Sequence, residues 1–277
     1  ELAKHVASLF EEDIIEESTS EWCFPLVTVR KKDGSIRMAN DLRKLNEIIK
    51  RDAFPMPRID EILDGLGTDA KLFSRLDLRK GYYQIMLADD AKEKTAFSFK
   101  GKQYQFKRVP FGLCTAPQEF QRVMERILGG LPFVKIYLDD IVIFSLTEQE
   151  HEKHVRAVLD RIRKANLRLN KDKCEFGKKE IEFLGFKIAD GKKSPNDEKS
   201  KIFANFPVPT SKRLLKGFLG LANYVRHMIP DFAELARPLF KARNLEKFHW
   251  SDECDANFRM LKEKLSSGPV VFLPNWD

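Results

Sequence analysis

Between Phe133 and Ser145 the chain reads FVKIYLDDIVIFS, a nearly continuous apolar run broken by two adjacent carboxylates, Asp139 and Asp140. A charge in apolar surroundings costs several kcal/mol or more unless it is paired, neutralised or bound to metal. Two like charges side by side each raise the cost of ionising the other. A divalent cation relieves both costs. A third carboxylate, Asp77, stands in a similar setting in the LDL of KLFSRLDL. Oxygen donors without competing nitrogen or sulfur ligands select Mg²⁺ or Mn²⁺. Two such ions ~3.5–4 Å apart clamp the attacking and leaving oxygens of an in-line phosphoryl displacement. The competing reading is an Asp pair at an exposed hairpin turn, which is common. The flanking apolar strands and the third Asp weigh against it.

Period and turn residues predict the elements that must carry these groups. Leu2 to Ile15 reads as an amphipathic helix. Leu26–Arg30 and Ile36–Ala39 read as a hairpin turned at Asp33-Gly34, and Thr95–Phe99 with Gln103–Lys107 as a second, turned at Lys100-Gly101. Ile59 to Leu66 reads as a short helix. Lys71 to Leu78 alternates as a strand, with Leu72, Ser74, Leu76 and Leu78 on one face and Phe73, Arg75 and Asp77 on the other. A helix follows Thr115-Ala116-Pro117, with Phe120, Val123, Met124, Ile127 and Leu128 as its buried stripe. The Asp pair then lies at the turn of a strand–turn–strand. Thr147 and Glu150 match a capping box opening the next helix. Ile181 to Ile188 reads as one strand, Ser211 to Met228 as one long helix, and the chain from Trp250 as a helix followed by a short strand at Val270 to Leu273. The mix is α+β, a split βαβ sheet backed by helices with lobes on either side.

The 277 residues are 43% hydrophobic, which fits a globular chain with a large core. No apolar run is long enough to span a bilayer, so no membrane partner is expected. Cys23, Cys114, Cys174 and Cys254 form no CxxC pair and read as reduced thiols of a cytosolic or nuclear setting. Net charge is +7, unevenly spread. From Arg161 to Gly220 sixteen Lys and Arg face seven Asp and Glu, a balance of +9, so the rest of the chain sums to −2. This points to a polyanion contact confined to one lobe, against the plainer reading of a solvated lysine-rich surface.

Three segments, YLDDI (Tyr137 to Ile141), LDLRKGYYQI (Leu76 to Ile85) and VPFGLCTAPQEFQ (Val109 to Gln121), resemble the core motifs of reverse transcriptases. KKDGSIR (Lys31 to Arg37), DLRKLN (Asp41 to Asn46), KCEF (Lys173 to Phe176), EFLGF (Glu182 to Phe186) and FLGLANYVRHMIPDF (Phe218 to Phe232) are similar to gypsy-type LTR retrotransposon polymerases, in the same order. The resemblance implies a right-hand polymerase that extends a primer on an RNA or DNA template with dNTPs and two Mg²⁺, in the cytoplasm within retroelement particles or in the nucleus. Fingers would be 1–50 and 88–118, palm 51–87 and 119–190, thumb 191–247, and the start of a connection segment 248–277. Asp77, Asp139 and Asp140 would hold the metals, Asp140 least directly. Tyr82 would be the aromatic gate beneath the sugar, excluding a 2′-hydroxyl. Lys31 and Arg37 would hold the triphosphate, as a point charge and a bidentate fork suit a polyphosphate. Phe111 and Gly112 would line the nucleotide pocket, and Asp41 and Arg43 would face the template. Tyr137 and Leu138 would lie beside the primer end, Phe183, Leu184 and Gly185 would form a primer grip, and Lys216, Gly220 and Tyr224 would track the duplex minor groove.

The chain departs from the family pattern at Asn40, in place of an apolar residue, and Leu42, in place of an aromatic. Both bear on the packing of the nucleotide pocket rather than on the metal site. The chain begins without Met and ends at Asp277, before the first carboxylate of an RNase H domain, so it reads as a piece of a longer protein lacking that activity. His151 and His154 lie on one helix, but with no further ligands nearby they read as a solvated face. The rival function is a non-catalytic nucleic-acid-binding derivative of such a polymerase, which retention of all three aspartates disfavours. An RNA polymerase of the same palm type is disfavoured by Tyr82 and YLDD.

Overall fold

The computed structural model describes residues 2–30 and 36–274, without the side chains of residues 29, 30 and 36–38. The chain opens with helix α1 (Leu2–Glu11), strands β1 (Ile15–Glu17), β2 (Leu26–Arg30) and β3 (Ile36–Asn40), and helices α2 (Arg43–Ile48) and α3 (Ile59–Asp64). Next come β4 (Leu72–Asp77), α4 (Asp89–Lys92), β5 (Phe97–Phe99), β6 (Lys102–Phe106), α5 (Ala116–Leu128), β7 (Val134–Tyr137), β8 (Asp140–Ser145) and α6 (Glu148–Lys164). The remainder holds β9 (Glu175–Lys178), β10 (Glu180–Phe183), β11 (Phe186–Ala189), β12 (Lys192–Pro195), α7 (Asp197–Ala204), α8 (Lys212–Tyr224), α9 (Phe232–Asn244), α10 (Asp252–Ser266) and β13 (Val271–Phe272). No helix among the described residues is long and apolar enough to cross a membrane.

Two compact units divide the chain. The first comprises Glu1–Arg58, Leu76–Ile143 and Lys153–Glu175. Its small antiparallel sheet has the order β1-β6-β5 and buries Ile15, Phe97 and Phe106 against Val6 and Leu9 of α1. Helix α1 ends sooner than its apolar period predicts. Asp13 turns the backbone to φ +57°, and Ile15 enters β1 instead. The β2–β3 hairpin pairs Leu26 with Asn40 through Arg30 with Ile36, while its turn, with Lys31, Asp33 and Gly34, lies outside the described residues. A second core cluster of this unit joins Leu76 and Leu78, Phe120, Met124 and Leu128 of α5, Val134, Ile136, Ile141 and Ile143 of the β7–β8 hairpin, and Val158 and Ile162 of α6. Each large apolar side chain removed from water contributes about 1.5–3 kcal/mol, so this cluster fixes the hairpin onto α5 and α6.

A four-stranded sheet takes the order β7-β8-β4-β9. Strand β4 forms where alternation predicts it, but Phe73 is as buried as Leu72 and Ser74, so both faces are covered at its start. At the opposite end of β8, His151 bridges Ser74 Oγ (2.7 Å from Nε2) and Ser145 Oγ (2.8 Å from Nδ1). His151 is 5% exposed, which corrects the expected solvated face. It ties the first turn of α6 to β4 and β8. His154 lies flat against the Phe133 ring, with centroids 3.7 Å apart. The α6 cap is as expected, the Glu150 amide donating to Thr147 Oγ1.

The second unit comprises Ile59–Arg75, Phe144–Glu152 and Phe176–Asp277. Its sheet has the order β10-β11-β12-β13, antiparallel throughout. The single strand expected over Ile181 to Ile188 is two strands. Leu184 (φ +48°) and Gly185 (φ +74°) reverse the chain between Phe183 and Phe186, the sign pattern of a type I′ turn. Lys193 points inward from β12 and is paired with Asp64 at 2.6 Å. Helix α8 is capped by Ser211, which accepts from the Leu214 amide, and buries Leu215, Phe218, Leu219 and Ala222. It stops at Tyr224, followed by a separate tight turn at Arg226–Met228 rather than by the longer helix its apolar period suggests. Phe218 packs on Phe258 of α10 at 4.7 Å.

Candidate active site

The carboxylates sit where the sheet delivers them. β-branched residues alternate along VKIY and run together at Ile141–Ile143 of β8, and Tyr137 pairs with Asp140, leaving Leu138 and Asp139 as a two-residue loop. Asp139 therefore occupies the turn itself and Asp140 the first position of β8. Leu138 has φ +56°, a region that costs a non-glycine residue about 1–3 kcal/mol and persists only where surroundings over-determine it. Here Gln121 of α5, fully buried, supplies the constraint. Its Oε1 accepts from the Leu138 amide at 2.7 Å, and its Nε2 donates to the Ile136 carbonyl at 3.2 Å and to Glu125 Oε1 at 2.9 Å.

Asp77 closes β4, the strand next to β8. The Lys71 amide donates to the Ser145 carbonyl at the far end of both strands. Steps forward along β4 from Lys71 and back along β8 from Ser145 then bring Asp77 to the Asp139–Asp140 end. The Asn170 amide holds the Asp77 carbonyl at 2.9 Å, and Lys173 Nζ lies 3.7 Å from its carboxylate. Among the described residues no three His, Cys, Asp or Glu side chains are gathered tightly enough to hold a metal ion by themselves. The three aspartates share one end of the sheet as an all-oxygen donor set. That suits Mg²⁺, which keeps water ligands and takes one or two protein carboxylates together with substrate phosphates.

Tyr82 follows on a tight helical turn, Gly81–Gln84. Its ring meets Phe111 and Phe120 edge-on, each at 5.3 Å. Burial, with the charges of Asp139 and Tyr137 adding to it, holds the phenol above its usual range. The hydroxyl makes no hydrogen bond among the described residues, so the ring is pinned while its polar tip is left for something else. At Gly81 a β-carbon would press on the Phe120 ring at 3.2 Å and stand 3.6 Å from Asp139 Cβ, so glycine lets this turn approach the hairpin. Phe111 also packs edge-on against Tyr83. Gly112 (φ +102°) is held through its carbonyl by Asn46 Nδ2 at 2.8 Å, while Asn46 Oδ1 accepts from the Cys114 amide at 2.9 Å. Asn40 is buried, with Nδ2 donating to the Thr95 carbonyl and Oδ1 without a partner among the described residues.

Other expected site residues divide into those presented to solvent and those not. Asp41 and Arg43 hold each other: Nε–Oδ1 is 2.8 Å and Nη2–Oδ2 2.5 Å, and the guanidinium holds the Asp41 carboxyl down at about 2. Lys31, and the side chain of Arg37, lie outside the described residues. In the second unit Phe183 is a core residue at 1% exposure, so only Leu184 and Gly185 occupy the tip. Tyr224 Oη donates to the Leu184 carbonyl at 2.8 Å. Lys216, Gly220 and Tyr224 share the exposed face of α8, with Leu219 turned inward.

The sequence matches the family described as "Reverse transcriptase (RNA-dependent DNA polymerase)" over residues 29–188. The chain belongs to the reverse transcriptase family. All of it aligns at 38% identity with the retrovirus-related Pol polyprotein from transposon 297 of Drosophila melanogaster, and 84% of it at 42% identity with that from transposon gypsy. It spans about a quarter of those relatives' length, 27% and 23%. Among solved structures it is similar to the foamy viral protease-reverse transcriptase in complex with dsDNA, with TM-score 0.89 and 25% identity over 100% of this chain and 58% of that one. A second foamy viral structure, in complex with RNA/DNA hybrid, matches with TM-score 0.85 and 25% identity over 97% of this chain and 37% of that one. The α+β polymerase fold expected from the motifs is therefore the fold of this reverse transcriptase family member.

Four residues around these sites went unread in the sequence: Gln121, Lys173, Asn46 and Lys199. Only Gln121 carried a signal, since it stands on the same helical face as Met124 and Leu128, where a polar residue must find buried partners.

Proposed function

We propose that this chain is the DNA-synthesising part of a retroelement polyprotein, extending a primer with dNTPs on an RNA or DNA template. The observation that carries this reading is the meeting of Asp77, Asp139 and Asp140 at one end of neighbouring strands, beside the pinned Tyr82. Asp77, Asp139 and Asp140 would hold two Mg²⁺, or Mn²⁺, completed by water and the triphosphate. Bound there, the ions would lower the pKa of the primer 3′-hydroxyl and neutralise the departing pyrophosphate. The hydroxyl attacks the α-phosphorus and the bond to pyrophosphate breaks. Tyr82 stands against the sugar and rejects a 2′-hydroxyl by contact, with Phe111 and Phe120 preventing its retreat. Gly112 lets the backbone close on the nucleotide, and Lys31 and Arg37 take the triphosphate charge. In the second unit Leu184, Gly185, Lys216, Gly220 and Tyr224 bear on the primer–template duplex; the foamy viral structures named above hold dsDNA and RNA/DNA hybrid. Fingers, palm, thumb and the start of a connection follow the divisions expected from the motifs.

Primer extension on poly(rA)·oligo(dT) with dTTP and Mg²⁺ tests the reading. Incorporation is expected and is lost in Asp139→Asn. A folded wild-type chain that binds this duplex and never extends it would instead be the non-catalytic binding module.

A further inference from the structure

The first unit holds a second cavity, of about 300 Å³, to which none of Asp77, Tyr82, Asp139 and Asp140 contributes. Arg79, Lys80, Arg108 and Arg168 line it with Glu12, four cations against one carboxylate, a balance of +3. Glu12 is taken by Lys80, at 2.6 Å. Beyond β4, Leu78 pairs with Leu169 in an antiparallel bridge, so Arg79 and Arg168 stand directly opposite each other. The Arg79 amide donates to the Arg168 carbonyl at 3.0 Å. In place of the returning ladder bond stands the side-chain amide of Gln84. Its Oε1 accepts from the Arg168 amide at 2.7 Å, and its Nε2 donates to the Arg79 carbonyl at 2.6 Å. Like charges directly opposite across an antiparallel pair are destabilising. Neither guanidinium has a hydrogen bond or ion pair of its own among the described residues. Lys80 follows in the left-handed region, at φ +54°, which a non-glycine residue keeps only where its surroundings over-determine it. Opposed cations fixed in this way are completed by an anion between them.

We propose that this cavity is a binding site for inorganic pyrophosphate, clamped between Arg79 and Arg168 with Arg108 beside them. The inference goes beyond the polymerase reading and does not depend on it, since no residue of the metal site takes part. Three features select this occupant. The surplus of cations calls for a multivalent anion, which a single peptide carboxylate is not. Guanidinium forks take the oxygens of a phosphoryl group two at a time, and two opposed forks suit two linked phosphoryl groups. The apolar lining residues, Ile14 and Tyr83, are only 3% and 8% exposed, so the cavity offers almost no surface to a base or a sugar. Its volume is at the lower end for small-molecule pockets, which disfavours a strand of nucleic acid or a folded acidic segment. Gln84, bonded to both strands, sets the separation of the two arginines and so the width of the clamp.

Calorimetric titration of the whole chain with pyrophosphate in metal-free buffer tests the proposal, because without a cation the three aspartates repel the anion. One pyrophosphate is expected to bind. Its affinity should fall about tenfold or more in Arg79→Gln and in Arg168→Gln, the scale of one charge-assisted hydrogen bond. Arg37→Gln, at the expected triphosphate site, should bind it as the wild type does. Orthophosphate should bind more weakly, and the binding of dTTP that is lost in Arg79→Gln should be no tighter than that of pyrophosphate. Should either variant fail to fold, arginine footprinting of the wild-type protein decides by itself. Modification by phenylglyoxal, read by mass spectrometry, should be slowed several-fold at Arg79 and Arg168 by saturating pyrophosphate and be unchanged at Arg213. Absence of saturable binding, or binding lost in Arg37→Gln and kept in Arg79→Gln, overturns the proposal. Labelling of Arg79 and Arg168 that pyrophosphate leaves unchanged overturns it too, and a tighter Arg79-dependent binding of dTTP would give the cavity to a nucleotide instead. Pyrophosphate binding at Arg79 without primer extension would refute the polymerase reading and leave this site standing.

Discussion

Two hairpin tips in this molecule begin alike and end differently. The β7–β8 loop and the β10–β11 loop are both two residues long, and both start with a leucine in the left-handed region, Leu138 at φ +56° and Leu184 at φ +48°. The second residue is Asp139 in one and Gly185 in the other, and only the glycine also has positive φ. The first loop is held through an amide proton by Gln121, and the second through a carbonyl by Tyr224. One tip thus presents carboxylates on a strained backbone, the other a bare backbone beside a cation. The same arrangement, a left-handed leucine beside a single hydrogen bond from a helix side chain, carries two different tips.

That contrast can be broken at its sharpest point with Asp139→Asn. It should lower single-turnover incorporation by roughly a thousandfold, equivalent to about 4 kcal/mol, with the melting temperature unchanged. A residual rate within tenfold of wild type would show that the first tip is not catalytic. Gln121→Leu keeps the carboxylates but leaves the Leu138 amide and Ile136 carbonyl unpaired, at about 1–3 kcal/mol. Incorporation should fall ten- to a hundredfold while the dissociation constant for primer–template holds steady. If duplex affinity falls instead, Gln121 supports binding rather than the catalytic turn. The matching change at the second tip is Gly185→Ala. Positive φ costs a β-carbon about 1–2 kcal/mol, while the Lys199 amine it would meet is the free end of a flexible side chain and can move aside, so chemical denaturation should show a loss of about that size.

Two weaker effects refine the picture. Lys173→Met removes the counter-cation of Asp77, an exposed pair worth up to about 1 kcal/mol, and should lower the half-saturating Mg²⁺ by at most about fivefold. Lys199 titrates at about 8 in the folded chain, below its unfolded value. Between pH 8 and the ordinary lysine range the unfolded chain holds the extra proton, so this residue makes stability rise with pH over that window. Lys199→Met should flatten the rise in melting temperature measured from pH 8 to 10.

The sequence made the first tip far more legible than the second. Asp139 and Asp140 interrupt an apolar run, and no solvent-face pattern accounts for that, so the turn and its chemistry were readable together. EFLGF contains a turn of equal sharpness, yet Phe183 and Phe186 flank it with apolar residues on both sides, and the run imitates one continuous strand. Only Gly185 marked the reversal. His151 was misread for a related reason. Helical spacing places it among charged neighbours, and nothing local reveals that Ser74 and Ser145, far away in sequence, offer hydroxyls to both ring nitrogens. Lys199 likewise looks like one more surface lysine until Tyr224 and Phe186 are brought beneath it. Residues whose role depends on partners distant in sequence carry no local signature, whereas charges set against apolar pattern do.

Each compact unit is assembled from three separate stretches, and the chain passes between units at 58–59, just before α3, and at 75–76, 143–144, 152–153 and 175–176, within strands β4, β8 and β9 and helix α6. This has a consequence for synthesis on the ribosome. The first unit has all its stretches only after Glu175 has emerged, and the segment 59–75 must then wait for residues a hundred positions later before its own unit can close. A nascent chain released between those points would carry a finished first unit, with the segment 59–75 still lacking the last stretch of its own unit. Truncations within 176–277 should therefore leave the second unit incomplete while the first is whole, and a clean division of this protein into two expressible halves has no place to cut.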